Sequence, residues 1–138
     1  MLARALGALT LILALTAGRA SAQNASAGQE PVSRGRPLSE WIAELKAPAP
    51  ATRNAAAYEI ASLGPAAKPA VPALIAALDD PDPTVRFPVT VALSEIGPDA
   101  AAAVPRLKQM MFEEINDEIA AAARRAIRHI QPSALAGQ

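Results

Sequence analysis

The stretch that decides the fold is RNAAAYEIASLGPAAKPAVPAL, residues 53–74, because a second copy follows it as RFPVTVALSEIGPDAAAAVPRL, residues 86–107. The two segments align without a gap at an offset of 33 residues. The same offset continues upstream to Trp41, and with one inserted residue it continues downstream to Ile130. A fixed period of this length predicts a stack of similar units, each burying its apolar face only against its neighbours.

Inside each copy, the apolar residues are spaced as on one face of an α-helix. Val71, Leu74, Ile75 and Leu78 follow the i, i+3, i+4, i+7 pattern. The composition agrees, since 51% of the residues are hydrophobic but only 3% are aromatic, which leaves alanine and aliphatic residues to fill a helical core. We therefore predict an all-α fold of about three helix pairs. The six helices are expected at roughly residues 38–46, 51–63, 68–78, 83–96, 101–112 and 117–130.

The predicted helix ends carry residues typical of capping. Gly64 and Gly97 each stand just past an apolar helix and precede a proline, which predicts a helix stop. Asp82, followed by a proline, is typical of an N-cap, and Asn116 can cap the last helix in the same way.

The first 22 residues have the pattern of a cleavable export signal. Arg4 precedes an uncharged apolar run, Leu6–Ala17, and Ala20-Ser21-Ala22 matches a small-residue cleavage site. The run is shorter than the ~20 apolar residues that a membrane-spanning helix needs, so we expect cleavage before Gln23 rather than a stable membrane anchor. The protein is therefore predicted to be periplasmic or secreted.

The rest of the chain divides by composition. Residues 23–36 are small and polar and are predicted to be a disordered linker, residues 37–132 the repeat domain, and residues 133–138 a disordered tail. Loss of the leader leaves 11 basic and 13 acidic residues, a net charge of −2, which argues against nucleic acid as a partner.

With these elements in place, the sequence resembles the HEAT-repeat family in its bacterial, phycobilisome-lyase-like form. The resemblance rests on residues 53–80 and 79–107 and covers about residues 38–131. It implies a short right-handed α-α superhelix that acts by binding other proteins.

The resemblance also implies a ladder of contacts between repeats. In this family, an aspartate before the first helix of a pair and an arginine six residues later form the ladder. Asp80 and Arg86 match this pattern, and Arg53 keeps the arginine. Ala47 and Ala120 stand where a further aspartate and a further arginine belong, so only the middle repeat is complete.

The sequence offers little for catalysis. His129 is the only histidine and there is no cysteine, so a zinc site lacks ligands and disulfides are excluded. No glycine-rich phosphate loop is present, because Gly64 and Gly97 are isolated. We predict no catalytic residue, no cofactor and no metal.

Charged residues cluster around the last predicted helix. Its start carries four acidic residues and its end three arginines, an arrangement that complements the helix dipole; a metal or acid/base site and an anion site are the alternatives. The acidic residues are Glu113, Glu114, Asp117 and Glu118. We predict a possible partner-contact surface near this helix. Its residues are Lys108, Met110, Met111, Arg124, Arg125 and Arg128.

These observations predict an exported, non-enzymatic module that binds an unidentified protein partner. Two alternatives stay open: an accessory subunit of an enzyme, as in lyase-like members of the family, and a structural segment that self-associates through uncapped repeat ends. Trp41 is expected to anchor the core, with an interface role as its alternative.

Overall fold

A computed structural model describes residues 28–137, and in that range the chain is an all-α stack with one short hairpin. The predicted fold class and the predicted number of helices are confirmed. The helices are α1 (Leu38–Glu44), α2 (Pro50–Ser62), α3 (Val71–Ala77), α4 (Pro83–Ile96), α5 (Val104–Glu113) and α6 (Asp117–Ile130).

The helices form two layers. Helices α2, α4 and α6 pack side by side in one layer, while α1 packs on α2, α3 on α4 and α5 on α6. Equivalent side chains of successive repeats meet in one core, and Ile60, Leu93 and Ile127 are all fully buried there. The period of the sequence is therefore the period of the core.

Capping residues start two helices of the first layer, α4 and α6, as predicted. The Asp82 carboxylate accepts a hydrogen bond from the Thr84 backbone amide at 2.9 Å. The Asn116 side-chain carbonyl accepts from the amides of Glu118 at 2.9 Å and Ile119 at 3.2 Å. Each bond satisfies an amide that has no partner within its own helix, which stabilises the helix start.

The segments that follow α2 and α4 differ from the prediction. Gly64–Ala70 and Gly97–Ala103 are 3₁₀ turns, so α3 and α5 begin three residues later than predicted, at Val71 and Val104. A 3₁₀ turn places residues i and i+3 on one face. The buried alanines at these positions have that spacing, which explains why the tighter turn forms. They are Ala67 and Ala70 in the first turn, and Ala100 and Ala103 in the second.

The second half of the predicted linker is ordered rather than disordered. Strand β1 (Val32–Ser33) pairs antiparallel with β2 (Arg36–Pro37). The two turn residues between them, Arg34 and Gly35, both have positive φ, at 50° and 76°. This conformation matches the strand twist of a two-residue hairpin turn, although the sequence lacks the Asn-Gly pair that is typical of such turns.

The predicted tail is also ordered in part. Pro132–Leu135 forms a 3₁₀ turn, and Ala134 and Leu135 pack against the core. The predicted leader, residues 1–22, and the start of the linker lie outside the described residues.

Pro88 lies inside α4 and has no amide to donate to the Thr84 carbonyl. The side-chain amide of Asn54, on α2, donates a hydrogen bond to that carbonyl instead. The Thr84 carbonyl, which lacks a donor because of the proline, therefore accepts a hydrogen bond from the preceding repeat. This bond links α2 to α4.

A second link between repeats is a pair of bidentate ion pairs. The Arg53 guanidinium donates from Nε and Nη2 to the Asp80 carboxylate at 2.6 and 3.0 Å. One period later, Arg86 donates from the same two nitrogens to the Glu114 carboxylate at 2.8 and 3.0 Å. Two parallel bonds of this kind fix both distance and orientation.

The remaining guanidinium nitrogen points back along the chain. Nη1 of Arg86 donates to the backbone carbonyl of Asp80 at 2.8 Å, and Nη1 of Arg53 donates to that of Ala47 at 2.9 Å. The link across six residues therefore uses a backbone carbonyl, which alanine supplies as well as aspartate. The acidic side chain accepts hydrogen bonds from the arginine of the preceding repeat. Glu114, which was predicted only to complement the helix dipole, is therefore the second acid of the ladder.

The arginines shift the acidity of their partners. The hydrogen bonds from Arg53 hold the pKa of the Asp80 carboxyl below its ordinary value, and those from Arg86 lower the pKa of Glu114 in the same way. Desolvation by burial opposes both shifts but is the smaller effect.

We expect the link between Arg86 and Glu114 to stabilise the stack. In a double-mutant cycle of Arg86→Ala and Glu114→Ala, the coupling free energy should be about 1–3 kcal/mol, because the Arg86 and Glu114 side chains are only 19% and 9% exposed. Urea unfolding followed by circular dichroism measures it.

Arg106 and Asp79 provide a matched control for that cycle. Their closest N–O distance is also 2.8 Å, but their side chains are 29% and 63% exposed, so solvent screens the pair. Their coupling should stay below about 1 kcal/mol. Equal coupling in the two cycles would show that the ladder gains nothing from burial.

Stability should fall in acid. Asp80 and Glu114 have lower pKa values in the folded protein than in the unfolded chain, so their contribution is complete above the unfolded values. It is lost as the pH falls from about 5 through the folded values. Urea midpoints at pH 7, 5, 4 and 3 should show this loss, and Glu114→Gln should make it shallower. An unchanged pH profile in that variant would contradict the assignment.

Candidate functional site

The two ends of the stack differ at equivalent positions of the first-layer helices. Ala57 of α2 and Thr90 of α4 align with Arg124 of α6. Ala57 and Thr90 are fully buried inside the stack, whereas Arg124 is exposed. On the outer face of α6, the charged Arg124 therefore stands where the other first-layer helices have a small buried residue. This face is exposed to solvent in the part of the chain that the structure describes.

This open end contains a groove of about 420 Å³ between α5, α6 and the last 3₁₀ turn. It is lined by Met111 and Phe112 of α5, Arg124 and Arg128 of α6, and Leu135 of the 3₁₀ turn. Phe112 is the most exposed apolar residue of the groove, at 73%. The groove thus joins apolar side chains to two arginines.

The structure places the predicted contact residues on different surfaces. Met111, Arg124 and Arg128 meet in the groove. Met110 does not, because it is 2% exposed and belongs to the core, and its prediction as a contact residue is wrong. Met110 continues the buried apolar stripe of α5, so Met111, the next residue, lies nearer the surface.

The other two predicted contact residues, Lys108 and Arg125, lie outside the groove. Lys108 is half-buried on α5, one turn before Phe112, so it adds positive charge beside the groove. Arg125 is exposed on α6 but does not line the groove. Among the described residues, no carboxylate forms an ion pair with Arg124, Arg125 or Arg128.

Sequence reasoning missed Phe112 and Ile115, which are 73% and 96% exposed. A signal for Phe112 was present, because it falls off the apolar stripe of its helix and aligns with Asp79 of the preceding repeat. Exposed apolar residues that group together mark an interaction surface, and Phe112 lies next to Met111 and three residues from Ile115.

The opposite end of the stack is closed by the hairpin. Glu59 of α2 aligns with Ala92 and Ala126, which are fully buried against the helix before them. The Ser33 hydroxyl donates to the Glu59 carboxylate at 2.6 Å, and Arg34 pairs with the same carboxylate at 2.7 Å. The charge at this end is therefore paired within the chain.

Trp41 joins the hairpin to the first helix. Its indole N–H donates to the Ser33 carbonyl at 3.2 Å, and the Arg36 guanidinium lies 4.1 Å from the centre of its ring. The side chain is 6% exposed, in keeping with a core position.

Two of the acidic residues near α6 have separate partners. Glu114 binds Arg86, while Glu113 lies 3.4 Å from Arg106.

Nδ1 of His129 lies 3.1 Å from the Ser94 hydroxyl on the surface. Within residues 28–137, no three His, Cys, Asp or Glu side chains are close enough together to hold a metal ion. Each helix of that range is too short or too polar to cross a membrane.

Comparison with known proteins agrees with this geometry. Comparisons with curated proteins and with solved structures gave no significant match. A family model described as HEAT repeats matches residues 38–128, which is most of the chain and spans all six helices as far as the last turn of α6. HEAT repeats in general mediate contacts between proteins, and the family is typically non-enzymatic. The chain belongs to the HEAT-repeat family.

Proposed function

We propose that this protein is an exported, non-enzymatic binding module that holds another protein. The observation that carries the proposal is the exposure of Phe112 and Ile115, which are the two most exposed large hydrophobic residues among those that the structure describes. Large apolar side chains in water are costly to solubility, and interface cores are where aromatic residues concentrate.

The rigidity of the stack supports a scaffolding role. Phe112 lies at the end of α5, and the ladder acid Glu114 lies two residues beyond it. The exposed apolar side chains are therefore attached to a segment that is held in place before a partner arrives, so binding orders little of the protein. A rigid surface with few groups suited to acid/base chemistry fits recognition better than catalysis.

Export is proposed from the leader alone. Arg4, the Leu6–Ala17 run and Ala20-Ser21-Ala22 support it, and all of them lie outside the described residues. A partner of an exported module would be met in the periplasm or beyond the cell.

Expression in a bacterial host with a periplasm tests export. The purified protein should have the mass of a chain that begins at Gln23. Ala22→Arg should block cleavage because the signal needs a small residue at that position, while Ser21→Leu, at the tolerant middle position, should not. Recovery of uncleaved wild-type protein in the cytoplasm would contradict export.

A photo-cross-linking residue tests protein binding. Placed at position 112 or 115 in the native host, it should form adducts with another protein. Placed at Glu95, which is exposed on α4, it should form few. Adducts of equal yield at all three positions, or none at 112 and 115, would contradict the proposal. Adducts with a second copy of the chain would instead support self-association.

A further inference from the structure

We propose that the groove at the open end of the stack receives an acidic amphipathic α-helix of a partner protein, laid against α5 and α6 as a further helix of the stack. The proposal rests on the proposed function and adds the place, the shape and the charge of what is bound.

The shape follows from the repeat. Within the stack, the outward face of each first-layer helix is covered by the next one, as α4 covers α2 and α6 covers α4. Within residues 28–137, no further α-helix covers the outer face of α6, and only the short 3₁₀ turn Pro132–Leu135 follows it and packs against it. A helix fits such a face because the surrounding surface already has the ridges and spacing that pack against helices.

The apolar side chains of the groove require an apolar stripe on the helix that binds there. Met111 and Leu135 line the groove and are half-buried, and Phe112, which also lines it, is exposed. In the previous repeat, Leu78 aligns with Met111 and is fully buried. A helix that presents aliphatic residues at i, i+3, i+4 and i+7 would bury Met111 to the same degree.

The arginines of the groove require acidic residues on the helix that binds there. Arg124 and Arg128 are one turn apart on α6 and line the groove together. Neither has a carboxylate partner among the described residues, and Lys108 adds a third positive charge nearby. Carboxylates spaced by one turn on the incoming helix would meet both arginines, and a basic helix would be repelled.

At the opposite end of the stack, the charged side chain on the first-layer helix is paired within the chain. There, Glu59 is bound by Ser33 and Arg34 of the hairpin, and its side chain is 15% exposed. The chain covers its own charge at one end and leaves two arginines uncovered at the other.

A pair of synthetic peptides tests the proposal on the mature full chain. The first has the sequence of residues 116–130 with Arg124→Glu, Arg125→Glu and Arg128→Glu, so that it keeps the apolar stripe of α6 and becomes acidic. The second has the same residues unaltered and is basic. Fluorescence anisotropy at low salt should show binding of the acidic peptide with Kd at least about tenfold lower than that of the basic one.

Variants of the protein locate the binding site. Arg124→Glu with Arg128→Glu should weaken the acidic peptide at least about tenfold and improve the basic one. Arg125→Glu removes the same kind of charge from the same helix outside the groove, so it should change the affinity less than about twofold. Phe112→Ser should weaken both peptides. Circular dichroism melting confirms that each variant folds, and Arg124→Gln with Arg128→Gln replaces the reversal if it does not.

Three results would overturn the proposal: no binding of the acidic peptide, equal binding of both peptides, or equal losses in the Arg125 and Arg124/Arg128 variants. The outcome is separable from that of the proposed function. Protein adducts at position 112 that survive reversal of Arg124 and Arg128 would leave the binding module in place and remove the acidic helix.

Discussion

The stack depends on a chain of arginine–carboxylate contacts that runs from Arg53 through Asp80 and Arg86 to Glu114. Three guanidinium nitrogens are used at each step, two on the carboxylate ahead and one on a carbonyl behind. Lysine has a single point charge and cannot span both sides in a fixed geometry. We infer that these contacts, together with the packing of the buried aliphatic side chains, set the register between repeats.

The period of the sequence was sufficient to predict the layers and the core, because a gapless repeat places each apolar stripe against its copy. It could not predict the hairpin. Two-residue strands carry no alternation, and Arg34 adopts a positive φ that a non-glycine residue rarely takes. The hairpin is held instead by the Trp41 indole and by Glu59, which lie in segments that follow it in the chain.

The candidate site was only partly predictable, for a related reason. One inserted residue at the end of α5 changes the offset from 33 to 34, so Asp80 aligns with Glu114 only once the insertion is placed there. The 33-residue offset aligns Met111, not Met110, with the buried Leu78, so it could not show that Met110 is the buried residue. Phe112 lies off the apolar stripe and is exposed. Charge was easier to locate than apolar exposure, since Arg124 and Arg128 lie in a regular helix where spacing alone fixes the face.

The last helix has to reconcile two demands. A terminal repeat needs a polar outer face to remain soluble, and Arg124 in place of Ala57 and Thr90 meets that need. A polar cap, however, gains nothing from the exposed Phe112 ring beside it, which adds apolar surface where the arginines reduce it. Solubility therefore explains the charges but not the aromatic residue. A surface that carries both is better explained by a ligand that is itself both apolar and acidic, because only such a ligand makes use of every side chain that the groove presents.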